Sequence, residues 1–192
     1  MGEDDEAVAR VRAGDQEGFR TLVERHSRGL FRLAYRMTGN EPDAEDVVQE
    51  SFLRAYQRLH QFEARANFGS WLYRIAINCA YDLLRARRRR EREEEPVPFG
   101  PDEEGIDLPL PAPDPSPDRL AMSAEVRRRV NAAMSRMSAR ERAAFVLRHF
   151  EGMSILEIGR TLDLEESATK QSIFRAVRKL RVVLAPAAGA AP

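Results

Sequence analysis

The sequence predicts an all-α protein built as two small helical domains joined by a flexible, acidic, proline-rich linker. Three observations predict it. Apolar residues recur at helical spacing over both flanks of the 192-residue chain, and nothing reads as a β-strand. A middle segment, 91–118, carries clustered prolines and breaks every helical pattern. The formal net charge of zero conceals a division: 1–90 holds 16 Arg against 14 Asp and Glu, a formal +2. Segment 91–118 holds Arg92 against 10 acidic residues, and 119–192 holds 14 Lys and Arg against 7, a formal −9 and +7. Such asymmetry points to a nucleic-acid surface beside an acidic segment.

Taken in order, the first domain is expected over 1–90. Phe19, Leu22, Val23, His26, Leu30, Leu33, Ala34 and Met37 share one helical face, and Gly39 is placed to end that helix in the left-handed conformation. Asp43 is expected to cap the next helix, with Asp46 in its first turn, where a carboxylate suits the positive end of the dipole. Val47, Val48, Ser51, Phe52 and Ala55 form its buried stripe, while Asp46, Gln49, Glu50 and Arg54 face outward. Phe62–Ser70 is expected as a loop. A third helix follows from Trp71, with Ile75, Cys79 and Leu83 on its core face, and ends in the cations Arg85, Arg87, Arg88, Arg89 and Arg90.

Segment 91–118 is read as an extended, mobile linker, because its prolines lack an amide donor and its like charges repel. The second domain is expected over 119–185, with a disordered Ala-Pro tail at 186–192. Val126, Val130, Ala133, Met134 and Met137 make an amphipathic helix. Ser138 with Glu141 and Ser154 with Glu157 have the spacing of capping boxes that open two further helices, the first stopping near Gly152 and the second near Leu162. The turn Asp163–Glu166 leads into a last helix from Ser167 to about Leu184, and two helices joined by so short a turn match a helix-turn-helix.

Several function classes are disfavoured. Cys79 is the single cysteine, so no internal disulfide forms, in keeping with a reducing compartment. His26, His60 and His149 share no metal-type spacing, and no nucleophile–base pair or phosphate-cradling glycine loop is present. Neither an enzyme, a cofactor nor a metal site is expected. The acidic start, Met1–Glu6, lacks the layout of a signal peptide, and no apolar run approaches the ~20 residues of a membrane span. The expected location is the cytoplasm.

Three surfaces carry the functional signal. The helix from Asp43 to Tyr56 offers carboxylates suited to a basic protein. The loop that follows combines Phe62 and Phe68 with Glu63, Arg65 and Asn67 and runs on to Trp71 and Tyr73; unpaired bases are held by stacking and by contacts to their edges. Phe68 and Trp71 read better as core, and the polar loop residues as base contacts. Arg85 to Arg90 then supply a phosphate-seeking end. In the last helix Thr169, Ile173, Ala176, Val177 and Leu180 share an apolar face, leaving Lys170, Gln171, Phe174, Arg175 and Arg178 outward. A recognition helix needs that division: Arg suits guanine, Gln suits adenine, and an aromatic edge can touch a thymine methyl. Glu165 and Glu166 lie close to the expected path of phosphates and read as dipole partners of the helix.

These residues resemble the extracytoplasmic-function group of bacterial RNA polymerase sigma factors, in the sigma-70 family. Asp43–Tyr56 is similar to region 2.2, Phe62–Ala80 with its Phe68-Gly-Ser-Trp-Leu-Tyr-Arg-Ile-Ala-Ile-Asn78 core to regions 2.3 and 2.4, and Ser154–Leu180 to region 4.2. The resemblance implies that Asp46, Gln49 and Glu50 bind the coiled coil of the polymerase β′ clamp. It implies that Arg65, Asn67, Asn78, Arg85 and Arg88 lie near the −10 strand, and that Lys170, Gln171, Phe174, Arg175 and Arg178 face the −35 element. Partners implied are core RNA polymerase (β′ clamp and β flap), promoter DNA and an anti-sigma factor, in a stress-response setting. The recognition helix departs from the family: it begins Ser167-Ala-Thr-Lys-Gln-Ser172 where Gly-Thr-Val-Lys-Ser-Arg is common, so Ser172 stands where an arginine is usual.

A 28-residue tether spans at most about 95 Å, against roughly 70 Å for two turns of DNA, so the domains can occupy separate promoter elements. Two rival readings differ in what they leave unused. A sigma-like mimic that sequesters an anti-sigma factor needs neither the basic run nor an outward Lys170 and Arg175. A simple helix-turn-helix repressor leaves residues 43–84 without a purpose.

Overall fold

The computed structural model describes residues 2–63, 67–94, 129–130, 133–134 and 136–184, and among these it is helical with no strand. The chain divides into two units, Met1–Val97 and Pro98–Pro192. In the first unit α1 spans Glu3–Arg12, α2 Gln16–Thr38, α3 Glu41–Arg58 and α4 Phe68–Glu94, with a 3-10 turn at Leu59–Gln61. In the second, α5 spans Ala139–His149, α6 Ile155–Leu162 and α7 Glu166–Leu184.

Helix α1 was not foreseen. Its first turn is wholly acidic (Glu3, Asp4, Asp5, Glu6) and its last basic (Arg10, Arg12), which complements the dipole at both ends. Only Ala7 and Val8 are buried, so its apolar stripe is too narrow to stand out in the sequence. Helix α2 starts at an Asp15 cap, whose side chain accepts from the Glu17 amide, and ends at Gly39 with φ 86°. A Cβ at Gly18 would lie 2.6 Å from the Ala7 carbonyl oxygen, so a glycine is what lets α1 and α2 approach so closely.

Helices α2, α3 and α4 pack on one another, with α1 against α2. Leu22, Leu30, Leu33, Met37, Val47, Ala55, Leu72, Ile77 and Ala80 are sealed from solvent between them. Val48 and Leu83 are only half-buried, at the margin of this core. Three expected boundaries are corrected. Asn40, not Asp43, caps α3: its Oδ1 accepts from the Asp43 amide at 2.9 Å and its Nδ2 donates to the Asp43 carboxylate at 2.7 Å. Pro42 fits the first turn, where a missing N–H costs nothing. Phe68, Gly69 and Ser70 belong to α4 rather than to a loop, since the Asn67 side chain accepts from the Ser70 amide at 3.0 Å. At its far end α4 runs on through Glu94, because Glu and Arg are good helix formers and the first proline is Pro96. The remainder of the expected linker and the 186–192 tail lie outside the described residues.

The Asn40 cap gives a direct test. Asn40→Ala should cost ~1 kcal/mol in chemical denaturation, and Asp43→Ala, which leaves the cap oxygen in place, should cost less.

In the second unit both capping boxes are complete. Ser138 Oγ accepts from the Glu141 amide at 3.2 Å while Glu141 accepts from the Ser138 amide at 2.9 Å. Ser154 and Glu157 repeat this at 3.2 and 2.8 Å. The two hydrogen bonds from Ser154 hold the Glu157 carboxyl below the usual glutamate range. Asp163, at φ 55°, turns the chain between α6 and α7. Helix α7 packs on both α5 and α6. Its Lys179 reaches the Glu141 carboxylate at 2.9 Å and the Arg136 carbonyl at 2.7 Å, fastening its C-terminal half to the start of α5. Arg142, 2% exposed, donates to the Met134 carbonyl at 2.6 Å and so spends a charged side chain on the helix connection.

Candidate nucleic-acid and polymerase interfaces

Helix α7 divides its faces as its spacing requires. Thr169 and Ala176 are fully buried, with Ile173, Val177 and Leu180 half-buried beside them. Lys170, Gln171, Phe174, Arg175 and Arg178 are all exposed, and the Phe174 ring is 68% accessible. The ring is open to a partner that meets this face of the helix. Lys170 does not stand alone. Its ammonium lies 2.5 Å from Glu166, which holds that carboxyl below its ordinary range. Both groups are well exposed, so the pair is screened and can open to a phosphate. Ser172 faces inward, 8% exposed, and its hydroxyl donates to the Ala168 carbonyl at 2.8 Å. Arg175 and Arg178 also border an open recess of about 440 Å³ with Arg136, Glu141, Lys179 and Val182. Arg136 therefore joins the cationic surface, although nothing in its sequence position on α5's approach marks it.

Around the start of α4 the aromatic residues are mostly core. Phe62 and Phe68 are each 2% exposed, and with Trp71 they form a cluster of rings with centroids 5.3–5.7 Å apart. Trp71 is half-buried and Asn67 exposed. The Asn67 oxygen is committed to the helix cap. Arg65 lies outside the described residues, as does the Arg88 side chain. Asn78 and Arg85 are exposed, seven residues apart and hence on one face of α4. Arg74, four residues before Asn78 and also exposed, extends the same stripe toward Asn67. Only the spacing to Asn78 could have revealed it.

On α3, Asp46 and Gln49 are exposed. Glu50 is half-buried and bonded to Arg54 at 2.6 Å, and Arg54 also reaches Asp82 of α4 at 3.1 Å. These carboxylates hold the Arg54 guanidinium above its ordinary range. Of the three acidic-face candidates, Asp46 and Gln49 are thus open to a partner, while Glu50 belongs to a local ion-pair network. Leu53 and Tyr56, each seven residues beyond one of the open pair, are 53% and 46% exposed. They add an apolar patch to this face that charge patterning alone had not singled out.

Burial pushes the Cys79 thiol up, against an opposing hydrogen bond from Ser51. The thiol is packed away and poorly suited to react. Among the described residues no three His, Cys, Asp or Glu side chains gather as a metal site, and no helix is long and apolar enough to cross a membrane.

Comparison with known proteins identifies the family. The family description "Sigma-70 region 2" matches residues 22–90, and "Sigma-70, region 4" matches 127–180. The ECF RNA polymerase sigma factor SigW of Bacillus subtilis is 30% identical over 174 residues, 91% of this chain and 92% of SigW. The ECF RNA polymerase sigma-E factor of Escherichia coli is 34% identical over 169 residues, covering 88% of this chain and 87% of its own. Among solved structures, CnrH in complex with the cytosolic domain of CnrY is similar at a TM-score of 0.67 and 28% identity, over 95% of this chain and 97% of that one. The fold is shared with the sigma factor RpoE of Bartonella quintana, solved in complex with the anti-sigma factor NepR, at a TM-score of 0.66 and 23% identity over 86% and 96% of the two chains.

Proposed function

Because the chain belongs to the extracytoplasmic-function group of sigma-70 RNA polymerase sigma factors, we propose that its separate surfaces divide the work of promoter selection between polymerase, single strand and duplex. The protein binds core RNA polymerase and directs promoter-specific initiation. In our reading Asp46 and Gln49, flanked by Leu53 and Tyr56, dock on the β′ clamp, with Glu50 held by Arg54 as support. Asn67, Arg74, Asn78 and Arg85 track the separated −10 strand, together with Arg65 and Arg88. Gln171, Phe174 and Arg175 read the −35 major groove, while Lys170, Arg178 and Arg136 neutralise backbone phosphates. Polymerase docking and the −10 strand fall to residues 1–90, the −35 duplex falls to 119–185, and 91–118 tethers the two. The protein works in the cytoplasm, performs no chemistry of its own, and is restrained by an anti-sigma factor that covers the same faces.

The exposed polar side of α7, set on a fully buried Thr169 and Ala176, is the observation that carries this reading. Burial of one face fixes the rotation of the helix, so the donors are presented in a constant direction before DNA arrives. Run-off transcription with purified core enzyme on a promoter library tests it, since a mimic or a repressor would give no start sites. Within that assay Arg175→Ala should weaken discrimination at one −35 position by ~1–3 kcal/mol if the guanidinium reads a guanine. An equal loss on every promoter would demote Arg175 to a phosphate contact.

A further inference from the structure

Helix α1 presents Asp4, Val8 and Arg12 at four-residue intervals, hence along one face. Val8 is 3% exposed and anchors that face. The residues on either side of it reach the two ends of the segment that joins the 3-10 turn to α4. At the near end the Arg12 guanidinium donates from Nη2 to the Leu59 carbonyl at 3.1 Å and to the Phe62 carbonyl. At the far end the Asp4 carboxylate meets His26 Nε2 at 3.0 Å, and the His26 ring packs on Phe68 with centroids 5.2 Å apart. A Cβ at Gly69 would lie 3.5 Å from His26 Cε1, so the imidazole closes directly over the first turn of α4. Asp4 is itself held by Arg25 at 2.8 Å, and Glu3 grips the same guanidinium at 2.6 Å.

We propose that α1 is a brace for the −10 reading segment, with Arg12, Asp4 and His26 as positioning residues that set its two ends through Phe62 and Phe68. The inference rests on the reading of Asn67 and its neighbours as strand contacts. A single guanidinium satisfying two carbonyls fixes the direction in which the chain leaves the 3-10 turn. The Asp4–His26 pair holds the ring against which α4 begins. Holding both ends keeps Asn67 and the first turn of α4 in place before the strand arrives, which lowers the ordering cost for a base whose edge meets Asn67 and leaves a base that makes no such contact unaffected. Specificity for the −10 strand then depends on a helix outside the reading surface.

The test uses holoenzyme assembled from the full chain and core polymerase. The probes are the −10 strand oligonucleotide selected by the wild-type holoenzyme from a randomised pool and its single-base variants. The readout is the ratio of affinities between them, measured beside the affinity for core enzyme and the thermal midpoint of the free protein. Arg12→Gln should cut the discrimination ratio by about fivefold with affinity for core unchanged, and Arg12→Lys, which keeps a charged donor, should recover part of it. Asp4→Asn keeps the side-chain shape on a group only 23% exposed, and should lower the ratio even if Arg12→Gln fails to fold. A ratio unchanged in Arg12→Gln and Asp4→Asn would overturn the brace, as would an equal weakening on every oligonucleotide, which marks a merely structural role. A wild-type protein with no base preference in this strand would instead remove the reading on which the brace stands.

Discussion

Gly159→Val should unseat the recognition helix. A Cβ at this position would lie 2.8 Å from the Leu164 carbonyl oxygen and 3.3 Å from Thr169 Oγ1. The first contact is with backbone, so no side-chain rotation relieves it. The same junction is fastened by the Leu164 amide, which donates to the Gly159 carbonyl at 2.8 Å. Thr169 is sealed beneath α7 and its hydroxyl is bonded to the Glu165 carbonyl, leaving little room to yield. Either α6 tilts or α7 lifts. Overpacking of this kind costs ~1–3 kcal/mol, which the better helix propensity of valine over glycine offsets only slightly. Affinity for a −35 duplex should fall by more than about tenfold, because a recognition helix displaced by even an ångström loses its bidentate geometry. Binding of the −10 strand should be spared. Fluorescence anisotropy on the two DNA probes separates these effects, and a wild-type −35 affinity would mean that the turn does not set the angle of α7.

Much of that junction was legible in the sequence, for a physical reason. Ser138 with Glu141 and Ser154 with Glu157 are local devices whose partners lie three residues apart, so both are complete where their spacing predicts. The Gly39 stop is of the same kind. Errors arose where two local signals competed or where a distant partner decided. Asn40 and Asp43 are both good caps; the proline at position 42 favours the earlier one, since it fits the first turn and not the residue before the cap. Phe68 reads as core in the sequence but not as helix, because its place in α4 follows from the Asn67 cap and from packing on His26, which is distant in sequence. Helix α1 was missed because its contribution is two polar tethers and a pair of small apolar residues. Lys170 faces outward as its spacing predicts whereas Glu50 is half-buried, and their ion pairs with Glu166 and Arg54 follow from rotamers that spacing alone does not choose. Leu53 and Tyr56 went unremarked because an exposed apolar residue is recognisable only once the buried face is known.

Phe68→Ala should damage both the stability of the first unit and its hold on the −10 strand, and the two losses can be told apart. The ring is 2% exposed and touches His26, Phe62 and Trp71. Truncating so enclosed a phenylalanine costs ~3–5 kcal/mol from lost burial and the cavity left behind. That is a large share of the stability of a small domain. With the ring gone, His26 loses the surface it packs on, and the first turn of α4, where Asn67 caps Ser70, loses its floor. Phe68→Leu separates packing from stacking. Leucine refills most of the cavity, so chemical denaturation should show a cost of ~1 kcal/mol, and strand binding should return close to wild type. A base-stacking platform would behave otherwise: leucine offers no π-face, and strand affinity would stay as low as in the alanine variant even though the fold had recovered. The exposure of Phe68 argues for the first outcome, because a ring that solvent cannot reach is not open to a base. On the proposed reading the strand would then be held at this end of α4 by edges and phosphates, through the exposed Asn67, Arg74 and Asn78, with the aromatic cluster as the floor beneath the first turn.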